Sequence, residues 1–106
     1  MNKKTIKEKK SENLTLYRAK RRAIKMLDFE GYKVRKFGKN ESDFDIMATR
    51  DNEIRMICVR IARDLKTMNY EDILNTLSEA KIPDNAIAEL WVWQLKTGFH
   101  VFSVKN

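Results

Sequence analysis

The chain has 106 residues, 42% of them hydrophobic and 35% charged, with a net charge of +7, three glycines, one proline and one cysteine. This length makes one domain with a modest core, and the few glycines and single proline argue against long disordered stretches beyond the ends. The lone Cys58 excludes an internal disulfide and fits a reducing, cytoplasmic setting. The lone His100 excludes a Cys/His zinc cluster. No apolar run is long enough to cross a membrane or to form a signal-peptide core, so no membrane partner is expected.

The charge is unevenly placed. Residues 1–40 carry 14 Lys or Arg against 4 Asp or Glu, a balance of +10, and residues 41–106 carry 8 against 11, a balance of −3. A basic half joined to a mildly acidic half points to a polyanion, because Lys and Arg gain affinity by releasing counterions from phosphates. Nucleic acid is therefore the expected partner, and charge alone does not separate DNA from RNA.

In chain order, residues 1–12 read as a basic, flexible leader, with 13–106 as one α/β domain. A first helix is expected from about Asn13 to Glu30, its apolar stripe carried by Leu16, Tyr17, Ala23, Ile24 and Leu27, with Gly31 as its stop. Lys20 falls in the middle of that stripe, where a cation needs a partner or a wet cleft. Arg18, Arg21, Arg22 and Lys25 flank it and are candidate phosphate contacts. Tyr32–Phe37 reads as a short strand, with Tyr32 and Val34 inward. Arg35, Lys36 and, beyond it, Lys39 extend the basic surface.

Asp43 to Arg63 predicts two strands around an Asp51-Asn52 turn, since Phe44, Ile46 and Ala48 alternate with Asp43, Asp45 and Met47. If Arg50 pairs with Glu53, Asp45 falls opposite Cys58 and Asp43 opposite Arg60. These four would share one face, with Phe44, Ile46, Ile57 and Val59 on the other. A second helix is expected over Tyr70–Lys81, capped by Asn69 or Thr67, its core face being Ile73, Leu74 and Leu77. Ala86–Leu95 and Phe99–Val104 form a last hairpin, apolar on both faces, which calls for a helix on each side. The resulting order is α-β-β-β-α-β-β.

Gly31-Tyr32 after a helix, then Phe44-Asp45-Ile46-Met47-Ala48, Ile57-Cys58-Val59-Arg60 and Glu89-Leu90-Trp91-Val92-Trp93 form a series over residues 14–104. It resembles the PD-(D/E)XK nuclease superfamily, in particular the small archaeal-type Holliday junction resolvases. The resemblance implies a restriction-endonuclease-like α/β fold, with a central mixed sheet flanked by helices on both faces, and a homodimer. It also implies a metal site: one Asp and a second acid holding magnesium or manganese, a Lys two residues beyond, and a Glu on the first helix. Asp45 matches the metal-binding Asp. Cys58 stands in place of the second acid, Arg60 in place of the Lys, and Lys20 in place of the helix Glu.

Sulfur does not suit magnesium, Arg60 cannot exchange a proton near neutral pH, and Lys20 removes a carboxylate. The resemblance thus implies a scaffold that cleaves little or not at all, with no cofactor and with ion pairs among Lys20, Arg60, Asp43 and Asp45 in the metal's place. The leading expectation is nucleic-acid binding, DNA before RNA, by backbone contacts. The first rival is a metal-dependent endonuclease using Asp45 and Arg60 catalytically, with Asp45 and Asp43 holding the metal. The second is a protein-interaction subunit without a nucleic-acid role. Cys58 reads otherwise as a small core residue, and Trp91 and Trp93 as core aromatics.

Overall fold

Residues 2–29 contain neither glycine nor proline and are rich in Lys, with Arg and Leu next, so nothing local interrupts a helix. The computed structural model describes residues 2–104, with side chains from residue 16 onward. Helix α1 spans Asn2–Phe29. It starts earlier than the expected Asn13, and its backbone carries through residues 2–12 of the expected leader, whose side chains lie outside the described residues. It stops where expected. Gly31 takes φ 93, its N–H bonds the Asp28 carbonyl at 3.0 Å, and the Tyr32 N–H bonds the Leu27 carbonyl at 3.0 Å. This is a Schellman ending, and the accompanying apolar contact is Tyr32 with Leu27, both buried in the same core.

The remaining elements are β1 (Lys33–Lys36), β2 (Ile46–Arg50), β3 (Glu53–Ala62), α2 (Tyr70–Ser78), β4 (Ala86–Gln94) and β5 (Gly98–Ser103). They form one five-stranded sheet in the order β1-β2-β3-β4-β5. Every neighbouring pair is antiparallel except β3 with β4, which run parallel and are joined through α2. The chain is thus an α/β protein with a mixed sheet in the expected element order. Arg50 pairs with Glu53 across the Asp51-Asn52 turn, as the hairpin register requires. Asp51 takes φ 52, a conformation that Asp tolerates in turns.

The two faces of the sheet carry separate cores. On one, Ala19, Ala23 and Leu27 of α1 lie on Tyr32, Ile46, Ala48, Ile57, Val59 and Trp91. On the other, Leu77 of α2 lies with Phe44, Met56, Cys58, Leu90, Val92 and Val104. Fully burying one aliphatic side chain such as Leu27, Ile57 or Leu90 stabilises by about 1.5–3 kcal/mol. These residues therefore fix which way each element faces.

Four expectations need correction. The buried stripe of α1 is Ala19, Ala23 and Leu27; Tyr17 is 58% exposed, and Lys20 lies at the stripe's edge rather than in its middle. Helix α2 ends at Ser78, not Lys81. Its last turn tightens through Glu79 N–H to Thr76 and Ala80 N–H to Leu77, and Pro83 lies just beyond. Asn69 precedes α2, yet its side chain makes no cap bond and donates instead to Asp72. Finally, the α1 side of β5 is only partly covered: Phe99 packs against that core, and Val101 stays 50% exposed.

Candidate functional site

The expected face assignment fails at one point, and that point builds the site. Ile46 is the registered partner of Ile57, but the Asp45 N–H also bonds the Ile57 carbonyl, at 2.9 Å. Two residues then oppose one, the arrangement of a β-bulge, which breaks the alternation between Phe44 and Ile46. Phe44 turns to the α2 core and Ile46 to the α1 core. Asp45 parts from Asp43 and reaches Lys20 of α1, while its carboxylate still meets the Cys58 thiol and Arg60.

Because β2 begins at Ile46, the next rung of β3 has no strand partner on its β2 side, and side chains take that role. Asp45 Oδ2 accepts the Val59 N–H at 2.7 Å, and Arg60 Nη1 donates to the Val59 carbonyl at 2.8 Å. Arg60 Nη1 also lies 3.3 Å from Asp45 Oδ2, and Lys20 Nζ lies 3.2 Å from Asp45 Oδ1. One carboxylate thus sits between two cations. Asp43 is exposed and takes no part. The expected cluster of two acids and two bases is therefore an acid-poor trio.

Cys58 is fully buried on the α2 side. Burial pushes its thiol up to about 11; the Asp45 carboxylate adds to the rise, and Arg60 and Lys20 oppose it. A neutral buried thiol, one carboxylate already holding an N–H and two cations do not make the hard, oxygen-rich shell that magnesium or manganese takes. The donor set does not fit that metal. Among the described residues, no three His, Cys, Asp or Glu are gathered as a metal site.

Beside this trio, α1 and β1 enclose an open groove of ≈ 570 Å³ lined by Tyr17, Lys20, Arg21, Ile24, Lys25, Val34 and Lys36. Strand alternation puts Val34 and Lys36 of β1 on the α1 side. Arg35 turns to the opposite side, where its guanidinium lies 5.0 Å from the Phe37 ring centroid and Nη2 meets Glu41 at 2.6 Å. Glu41 is held below the usual carboxylate range first by the Gly38 N–H and then by Arg35.

Of the cations predicted to contact phosphate, the structure gathers Arg21, Lys25 and Lys36 and adds Lys20. Arg22 lies on the other flank of α1, its guanidinium 5.0 Å from the Trp93 ring centroid. Arg18 and Lys39 are exposed and outside the groove.

One buried network was not anticipated. Arg55 and Glu89 pair at 2.7 Å, with side chains 15% and 10% exposed, and Trp91 Nε1 donates to the same Glu89 oxygen at 3.2 Å. Burial works against the Arg55 charge, but the hydrogen bond and charge of Glu89 outweigh it, and the pKa of Arg55 is raised. Tyr32 lies under both Arg50 (4.3 Å) and Arg55 (5.3 Å), and its hydroxyl donates to Glu53 at 3.0 Å. Arg50 also donates to the Glu30 carbonyl at 2.8 Å, tying the end of α1 to β2. The available signal was a glutamate inside the otherwise apolar run Ala86–Trp93.

The fold and site define a mixed α/β protein with a cationic groove on one helix face. No family model matches the chain, and comparison with curated proteins finds no similar one. No helix among the described residues is long and apolar enough to cross a membrane.

Proposed function

We propose that the chain binds nucleic acid through phosphate contacts in the α1–β1 groove, on a nuclease-like scaffold that cleaves little or not at all. The observation that carries this reading is the groove's charge: Lys20, Arg21, Lys25 and Lys36 line it together and, among the described residues, no acid does. These cations come from two consecutive elements, and the packing of β1 beside α1 gathers them on one groove. Each phosphate engaged releases condensed counterions, which drives binding without base readout.

The α-β-β-β-α-β-β order and the position of Asp45 at the start of the second strand support the resemblance to restriction-endonuclease-like folds. Weak cleavage is supported by the trio itself, where Lys20 and Arg60 occupy the Asp45 oxygens that a metal would need.

The test is a fluorescence-anisotropy titration with labelled junction and linear DNA, run across ionic strengths and with or without magnesium. Binding should weaken steeply with salt, and Lys25→Glu or Lys36→Glu should each weaken it and lower the salt slope by about one. No binding at low ionic strength would overturn the reading. Magnesium-dependent cleavage abolished by Asp45→Ala would replace it with a nuclease.

A further inference from the structure

Resting on that reading, we propose that the groove takes an unpaired nucleotide, so that its substrate class is single-stranded nucleic acid rather than duplex. The groove is not only charged. Tyr17 stands at it 58% exposed, and the Arg21 guanidinium lies 5.8 Å from the ring centroid. Ile24 and Val34 supply an apolar lining beside the ring. Tyr17 lies one helical turn from both Lys20 and Arg21, so an aromatic face and two cations share one patch of α1.

A duplex turns its phosphates and sugars outward and keeps its bases stacked inside. It would engage Lys25 and Lys36 and leave Tyr17, Ile24 and Val34 without a partner. An unpaired base uses all of them, its π-face on Tyr17 and its phosphates on the lysines. Volume agrees: ≈ 570 Å³ lies within the roughly 300–1,000 Å³ of small-molecule pockets and is more than a lone phosphate fills. Stacking of this kind is sequence-tolerant, so the shared chemistry of single-stranded DNA and single-stranded RNA is what is recognised.

The experiment is a competition binding assay with the whole chain. The probes are a thymidine DNA strand, a uridine RNA strand, a duplex of equal length and an abasic DNA strand of equal charge. The two single strands should bind more tightly than the duplex, and their ratio shows which sugar is preferred. The abasic strand should bind about tenfold more weakly than the thymidine strand. Tyr17→Ala should lose the same factor on the thymidine strand and nothing on the abasic one, whereas Tyr17→Phe should match the native chain.

Because Tyr17 is exposed, both variants should fold, which circular dichroism checks. A duplex bound as tightly as the single strands, or an abasic strand bound as tightly as the thymidine strand, would overturn the inference while leaving phosphate binding intact. Failure of all four probes to bind would instead remove the phosphate reading and this inference with it.

Discussion

Lys20 Nζ stands 3.2 Å from Asp45 Oδ1 and ties the middle of α1 to the bulge that opens β2. The contact joins helix to sheet beside the groove, and Arg60 holds the other Asp45 oxygen. Asp45 therefore does two opposed things: it organises two cations and one backbone N–H, and it offsets part of the positive charge next to the groove.

Removing that carboxylate should weaken the fold and strengthen polyanion binding. Asp45→Asn keeps an oxygen for the Val59 N–H and should cost about 1 kcal/mol. Asp45→Ala leaves that N–H and Lys20 without this acceptor and Arg60 with only the Val59 carbonyl, and should cost about 2–3 kcal/mol in urea unfolding. Both should raise affinity for DNA at low ionic strength in anisotropy titrations. A loss of binding in Asp45→Asn would show instead that the carboxylate is needed at the interface.

The Arg55–Glu89 pair should behave as a buried ion pair. Glu89→Ala strands a guanidinium that is only 15% exposed and removes the acceptor of Trp91 Nε1. The expected loss is about 3–5 kcal/mol, measured by denaturant unfolding. Glu89→Gln keeps an acceptor and should lose less. The double variant Arg55→Met/Glu89→Leu should recover most of the stability of the native chain, because neither charge is then buried alone. A loss in the double variant equal to the sum of the singles would mean the two residues act independently.

The element order, the Gly31 stop, the hairpin register and the two-faced character of β4 were legible because each rests on local periodicity or turn chemistry. The side assignments around Asp45 were not. A bulge leaves no mark in the apolar–polar pattern, since Phe44, Asp45 and Ile46 read as plain alternation. The clustering of Lys20, Arg21, Lys25 and Lys36 was only half legible. Helical spacing puts Lys20 and Arg21 on neighbouring positions of one helix. Which of Arg35 and Lys36 faces α1 depends on how β1 meets the sheet. The Arg55–Glu89 pair spans the parallel β3–β4 junction, and pairing across a crossover cannot be read from spacing.

Gly31 holds its conformation for the helix end rather than for space. A Cβ built there meets only Arg50 Cδ, at 3.7 Å, an ordinary contact, yet φ 93 disfavours any L side chain. Gly31→Ala should thus cost about 1 kcal/mol through the backbone alone, and Gly31→Asn less, since Asn visits this region more readily. Thermal unfolding of the two variants checks the order. Equal losses would point to crowding against Arg50.

Cys58 predicts a pH dependence with a definite sign. Its thiol is raised from 9.0 to about 11 in the folded chain by burial, with Asp45 adding to the rise. At pH 10 the unfolded chain has released this proton and the folded chain keeps it, so the unfolded state binds fewer protons and stability falls as pH rises. The thiol's contribution is complete below pH 9 and is lost progressively towards 11. The comparison is with Cys58→Ala, which keeps every other ionisable group of the chain. The stability advantage of the native chain over that variant should shrink by about 2 kcal/mol between pH 8.5 and pH 11, at about 1.4 kcal/mol per unit of pKa shift. The folded thiol should also resist iodoacetamide at pH 8.5 and react promptly in urea. Alkylation of the folded chain at the unfolded rate would place Cys58 at the surface and remove the basis of the pH effect.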